Sequence, residues 1–389
     1  MTPRTGADGD EESLLREVAR KVAARSLLAH VGSWEEQGRI SPEVPGVLAE
    51  AGLLGLGYPV AVGGEGGGLR LRLAVMDEFL RQGVPSGACA AMFGRSITVP
   101  HMIAAGDPAQ VRTYVRPTLG GRRIGALAVT EPGGGSDVAG LRTRAVLDGD
   151  HYRVTGTKTF ITSAIRADYY VTAVRTGEPG ARGISLLVID RDSPGLRVSA
   201  PLRKMGWLSS DTAELAFDDV AVPRANLIGA AGTGFSQLMR QFPEERVTLA
   251  AHAVGIAQRC LDLCGPWVTE RVTFGSPLRD RQVIRHKIAE MATKTAVARE
   301  FLNQVAGRID AGEPVNTEAA MAKNTAVEAV SFAVDQAVQI FGGSGYIRES
   351  EVERHYRDAR ILAIGGGTTE ILRELIASDV LAAWREPPR

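Results

Sequence analysis

Three cysteines in 389 residues, Cys89, Cys260 and Cys264, are too few for a disulfide framework. Cys260 and Cys264 share a helical face, but no other ligands cluster with them, so both read as core residues. Net charge is missing too: 45 Lys and Arg balance 45 Asp and Glu. That balance argues against a nucleic-acid or anionic-membrane protein. No apolar run reaches about 18 residues, so no membrane span is expected. The start, Met1-Thr2-Pro3-Arg4, has no apolar signal core, and acidic residues follow almost at once. A reduced, cytoplasmic, enzyme-sized protein is the expectation. The run Gly63-Gly64-Glu65-Gly66-Gly67-Gly68 lacks a strand before it and a Lys-Ser/Thr after it, so it is read as a flexible surface loop. Neither Rossmann spacing nor any other nicotinamide site is visible.

What is present is a change of period along the chain. Residues 11 to about 120 read as mostly helical, with stripes at Leu14, Leu15, Val18 and Val22, then over 71–81 and 96–105. Short strand-like runs follow at 126–130, 143–147, 152–155, 169–175, 184–190 and 213–217. The second and third are joined by Asp148-Gly149, a hairpin signal. From Gly234 the period is helical again, with long elements near 236–265, 278–310, 315–341 and 368–383. The fold class expected is mainly α with a central β unit. An N-terminal helical domain (1–125) precedes a middle β-barrel domain (126–235) and a C-terminal four-helix bundle domain (236–389).

One stretch stands out chemically, Phe242-Pro243-Glu244-Glu245-Arg246. At helical spacing Glu245 shares a stripe with Leu238, Phe242, Leu249 and Ile256, whereas Glu244 points about 100° away, toward solvent or a partner. A plain reading makes Pro243 the start of a helix and both acids favourable in its first turn. A carboxylate among apolar side chains is also how a base of raised pKa is made. The stretch alone leaves both open.

Further motifs complete the pattern: Val129-Thr130-Glu131-Pro132-Gly133-Gly134-Gly135-Ser136-Asp137, Phe160-Ile161-Thr162, Arg271-Val272-Thr273-Phe274-Gly275, Gln339-Ile340-Phe341-Gly342-Gly343 and Tyr356-Arg357-Asp358. In this order and spacing the chain resembles the acyl-CoA dehydrogenase family over nearly its whole length. The resemblance implies FAD, a thioester substrate carried by coenzyme A or an acyl carrier protein, and a homotetramer built as a dimer of dimers. It also implies an electron-transferring flavoprotein as partner. It places Leu127, Val129, Thr130, Gly135, Ser136, Phe160, Ile161 and Thr162 along the flavin, with Ser136 also reaching the substrate. Arg271, Gln282, Gln339, Ile340, Phe341, Gly342 and Gly343 would hold the FAD of a neighbouring subunit, and Thr368 and Glu370 complete the cofactor set.

Most relatives carry their catalytic glutamate where this chain has Gly366, within Gly365-Gly366-Gly367. A minority branch, including the long-chain and isovaleryl enzymes, places the base on the earlier helix, immediately before an arginine. Glu245-Arg246 resembles that arrangement. The resemblance therefore implies α,β-dehydrogenation with Glu245 as base, and Glu244, Arg246 and Gly365–Gly367 near the substrate. Gly366 would keep a backbone N–H for the thioester oxygen, and Gly365, in place of a bulky aromatic, would widen the pocket. Two other classes remain open at this point: an oxidase or monooxygenase on the same fold, and an inert thioester-binding relative.

Overall fold

The computed structural model describes residues 6–384, so the reading of the first four residues lies outside the described residues. The N-terminal part carries α1 (Gly6–Val22), α2 (Val31–Gln37), α3 (Val44–Glu50), α4 (Leu69–Arg81), α5 (Ser86–Phe93), α6 (Val99–Ala105) and the short α7 (Pro108–Gln110) and α8 (Arg116–Leu119). Seven strands follow: β1 (Gly125–Ala128), β2 (Arg144–Asp148), β3 (His151–Thr162), β4 (Tyr169–Arg175), β5 (Ile184–Asp190), β6 (Leu196–Val198) and β7 (Thr212–Pro223). The remainder is α9 (Gly234–Glu270), a small hairpin of β8 (Val272–Thr273) and β9 (Ser276–Pro277), then α10 (Gln282–Asp310), α11 (Asn316–Phe341), α12 (Glu351–Ala359) and α13 (Thr369–Ala383). No helix among the described residues is long and apolar enough to cross a membrane.

The middle strands form one curled seven-stranded sheet, the barrel-like unit expected between helical regions. The Asp148-Gly149 signal is a real hairpin: β2 and β3 pair antiparallel down to Asp148 opposite His151, and Gly149 takes the positive φ its turn requires. Parallel β1 and one residue of β2 successively occupy an edge of β4, while β5 runs antiparallel to β4 along its full length. Strand β3 is longer than its sequence pattern suggested because two register shifts against β7 interrupt its alternation. The second shift falls between Lys158 and Ile161 and throws Phe160 outward at φ +58°, leaving it 68% exposed. Bulges re-aim side chains in this way beside functional sites.

Helix α9 organises the rest. Val247, Ala250, Ala251, Val254, Ala257, Cys260 and Cys264 recur at three- and four-residue steps and are buried in the large core shared by the N-terminal and C-terminal helices. Leu238, two turns before Val247, is instead buried in a second core, against the sheet, α6 and α8. Both cysteines are free and buried, as expected of core residues. Pro243 does not start a helix; it lies inside α9. An internal proline costs about 3 kcal/mol through a lost hydrogen bond and a steric clash. Phe235, Leu238, Met239 and Phe242 offset it by packing the preceding turns onto the sheet side.

The glycine run is not a loose excursion. Gly66 bridges to Leu56 and Tyr58, and a Cβ on Gly68 would sit 2.5 Å from the Asp310 carboxylate. That close approach lets Asp310 accept from the Leu69 and Arg70 N–H groups (2.6 and 3.1 Å), capping α4 from the end of α10.

Helix α12 was not foreseen. Its Glu351 accepts from Arg259 Nε and Nη2, both at 2.8 Å, and lies 3.1 Å from His355 Nε2, tying α12 to α9. Burial pushes this carboxyl upward, but Arg259 and His355 outweigh it and hold Glu351 well below the ordinary glutamate range. A depressed native pKa stabilises the fold above the unfolded value and loses that contribution as pH falls. Glu351→Gln is expected to cost about 1.5–3 kcal/mol at neutral pH. The gap to wild type should narrow below the ordinary glutamate range. Denaturant melts across pH test this, and a constant gap in acid would refute the coupling.

Candidate active site

Three consecutive residues of α9 reach three different elements. Glu244 is not turned to open solvent: buried Arg72 of α4 donates to its carboxylate, an acid that this desolvated guanidinium requires. Arg246 donates through Nη1 to Asn316 Oδ1 at 2.8 Å, at the start of α11, and lies over the Phe242 ring. Glu245, between them, faces the glycine loop 365–367. A Cβ built on Gly366 would lie 3.6 Å from Glu245 Oε1 and 2.5 Å from Leu249 Cδ1. Burial raises the Glu245 pKa, while Lys323 and Arg246 pull it back down. Its inward aim, read from helical spacing, holds although Pro243 is not the helix start.

Lys323 was not singled out in the sequence. It is fully buried on α11, and its Nζ donates to the Gly365 carbonyl and, at 2.6 Å, to the Gly367 carbonyl. Gly366 and Gly367 both hold positive φ, +65° and +96°, so the loop between those carbonyls is a left-handed turn that favours glycine. Among the described residues nothing accepts from the Gly366 N–H. Thr368 ends the loop as the N-cap of α13, its hydroxyl accepting from Ile371 N at 3.3 Å, with Glu370 exposed in the first turn. One signal could have found Lys323: it lies on a buried stripe with Ala319, Ala320, Ala326 and Val327.

A second group of predicted residues converges where β1 and β3 end. Leu127, Val129 and Thr130 are half-buried on and just after β1, and Thr159 N donates to Thr130 O at 2.9 Å, bringing Phe160, Ile161 and Thr162 alongside. Glu131 anchors the loop that follows, accepting from Lys158 Nζ (2.9 Å), Arg142 N (2.7 Å) and Thr143 N (2.8 Å). Gly133 to Ser136, including Gly135, are left exposed. Lys158, entirely buried, also donates to Val129 O at 2.8 Å, so it fixes both sides of this loop.

The third group is remote from Glu245. Arg271 follows the last residue of α9, 25 residues beyond Glu245, which is roughly 38 Å along the helix axis. Its guanidinium lies over Trp267, which stacks on Phe341 with centroids 4.5 Å apart and donates to Ile340 O at 3.2 Å. That stack brings Arg271 to the Gln339–Gly343 turn. Gln339, Gly342, Gly343 and Gln282 are exposed, and nothing lies within 4 Å of a Cβ on Gly342 or Gly343. Phe274, in the β8–β9 turn, is 99% exposed.

These groups suit a flavin dinucleotide. An exposed aromatic edge at Phe160 and hydroxyls at Thr130, Ser136 and Thr162 match an isoalloxazine ring and its polar rim. An exposed guanidinium and an open glycine turn match a diphosphate. Family models agree over the whole molecule: acyl-CoA dehydrogenase N-terminal domain at residues 9–122, middle domain at 126–220 and C-terminal domain at 232–381. The chain belongs to the acyl-CoA dehydrogenase family. Like that family it is an FAD-binding oxidoreductase. A probable acyl-CoA dehydrogenase, YngJ of Bacillus subtilis, is 36% identical over 373 residues, covering 95% of this chain and 98% of that one. The caffeyl-CoA reductase–Etf complex subunit CarC of Acetobacterium woodii is 35% identical over 375 residues, 96% of this chain and 98% of CarC. The crystal structure of a putative acyl-CoA dehydrogenase from Mycobacterium smegmatis superposes with a TM-score of 0.94 at 53% identity, covering 96% and 98% of the two chains.

Proposed function

We propose that this acyl-CoA dehydrogenase family enzyme oxidises an acyl thioester to the trans-2-enoyl thioester, with Glu245 as the base. The observation that carries the reading is the 3.6 Å approach of the Gly366 Cβ direction to Glu245 Oε1. A carboxylate from either position would occupy the same space. Glu245 takes the proton from the α-carbon, the β-hydrogen leaves with its electron pair, and a carbon–carbon double bond forms. When bound, FAD supplies the acceptor for that hydride, so the substrate loses two electrons and the cofactor gains them. The unclaimed Gly366 N–H would meet the thioester oxygen as it becomes enolate-like. Burial keeps Glu245 basic enough to take a carbon-bound proton, while Lys323 and Arg246 favour its ionised form.

The remote Arg271 cluster supports an assembly in which one subunit's Gln282, Arg271 and Gln339–Gly343 hold the FAD whose ring lies at its neighbour's Thr130–Ser136 and Phe160–Thr162. Electrons would then leave to an electron-transferring flavoprotein, a partner suggested by the relative named as part of an Etf complex.

The substrate class is read at Gly365. A Cβ there would meet only Ile361 O, at 3.6 Å, so the wall beside the glycine loop is open. The enzyme is proposed to accept branched, bulky or long acyl groups. Anaerobic titration with straight, branched and aromatic acyl-CoA thioesters tests both statements through bleaching of the flavin. Gly365→Tyr should selectively impair bulky substrates, since overfilling such a wall costs about 1–3 kcal/mol. Equal losses on short straight-chain and branched thioesters would remove Gly365 from specificity. No bleaching by any thioester would sink the dehydrogenase reading.

A further inference from the structure

We propose that Lys323 is a positioning residue for this reaction: its ammonium clamps the two carbonyls flanking Gly366 and sets a buried positive charge behind the loop that Glu245 lies against. The inference rests on Glu245 being the base. The geometry begins with burial. Lys323 is fully enclosed on α11, where a lone ammonium needs acceptors or a counter-charge. It finds two acceptors, the Gly365 and Gly367 carbonyls, one on each side of Gly366. Asn324, its neighbour, donates to Thr369 O at 3.3 Å, so α11 grips both the glycine loop and the first residue of α13.

That grip has two consequences. Drawing the 365 and 367 carbonyls to one ammonium fixes the left-handed turn between them, and with it the direction of the Gly366 N–H. Glu245 lies against Gly366 from α9, so the buried ammonium and this carboxylate meet the same three-residue loop and each acts on the other's charge. The charges around Glu245 are few. Arg246 lies on its own helix but donates to Asn316, and Arg72 of α4 is committed to Glu244. The loop 364–367 carries no ionisable side chain, and Glu370 of α13 is exposed, near Arg360 and Arg373. Lys323 is thus the cation that both supports the loop and opposes protonation of the base. Burial lowers its own pKa to about 8, with Glu245 opposing that fall, so it stays mostly charged at neutral pH.

The test uses the full-length holoenzyme with K323M, K323Q and K323R, and two readouts. The first is the pH dependence of anaerobic flavin reduction at saturating acyl-CoA. The second needs no turnover: an infrared titration of the Glu245 carboxyl stretch without substrate, assigned by its loss in E245Q. Removing the charge should move the acidic limb of the rate profile and the infrared midpoint upward together, by roughly one pH unit. K323R should leave the midpoint in place while weakening thioester binding, because a guanidinium does not fit the slot between two carbonyls. Should K323M fail to fold, K323Q, which keeps a donor for one carbonyl, gives the same measurement. Unmoved midpoints in the neutral variants overturn the proposal, since a purely structural lysine would lower rate or stability at every pH alike. A shifted infrared midpoint with E245Q still reducing flavin normally would instead place the error in the choice of base.

Discussion

Replacing Glu245 by Gln is expected to slow anaerobic flavin reduction at least ~100-fold, the usual cost of losing a general base, while acyl-CoA binding persists. Glutamine keeps the shape and most of the hydrogen bonding but cannot take the α-proton. Glu244→Gln is the informative companion, and it is not a silent one. Its carboxylate partners buried Arg72, and breaking a buried pair costs about 3–5 kcal/mol because one charge is left behind. Stability should therefore fall in Glu244→Gln while the rate per folded, FAD-loaded molecule stays close to wild type. Moving the carboxylate back by Gly366→Glu in the Glu245→Gln background meets two obstacles, the +65° φ and Leu249 Cδ1 at 2.5 Å from the new Cβ. Adding Leu249→Ala removes the second, and partial recovery in that triple variant would show that both positions address one carbon. Near-normal reduction in Glu245→Gln alone would be decisive against the mechanism.

Arg271→Glu is expected to strip the protein of its colour. If the guanidinium meets a diphosphate, losing a charge-assisted hydrogen bond costs about 1.5–3 kcal/mol, and reversing the charge adds repulsion. FAD retention after gel filtration should drop by ten- to a hundredfold in apparent affinity, at roughly 1.4 kcal/mol per tenfold. The subunits should separate more readily on dilution, because the bound cofactor would bridge them. The isolated chain gives little competing reason for such an effect: Arg271 is exposed, and among the described residues its guanidinium meets the face of Trp267 and makes no ion pair. Full FAD occupancy in the variant, or a wild-type monomer saturated with FAD, would defeat the shared-site arrangement.

Much of this was legible because it is local. Tyr169–Arg175 and Ile184–Asp190 are short runs dominated by aromatic and branched residues, and their strand limits follow directly from the sequence. The inward aim of Glu245 needed only helical spacing. What escaped is what depends on distant partners. The segment Glu-Val-Glu-Arg-His-Tyr-Arg-Asp-Ala of α12 is too charge-rich to read as a packed helix until Arg259 and Trp207 N are there to meet Glu351 and Asp358. Pro243 obeyed the rule for helix starts, and only the packing of Phe235 to Phe242 on the sheet side overrides it. Lys323 reads as one more lysine in an alanine-rich helix. Its meaning lies in a glycine loop and a carboxylate contributed by other parts of the chain.

Helix α9 is buried in two cores, with Leu238 on the sheet side and Val247 onward among the bundle helices, and Glu245 lies at the seam. For anyone recombining this enzyme with a relative, that seam sets where the chain can be spliced. A junction ahead of Gly234 would bring foreign residues at 235, 238 and 242 against the native sheet. One beyond Val247 would import a foreign bundle while keeping the native Glu245. The narrow window from Pro243 to Arg246 keeps the sheet-side core whole, but the large core would still join the N-terminal helices of one parent to the bundle helices of the other, so chimeras joined there should survive best when the residues facing each other across that core match.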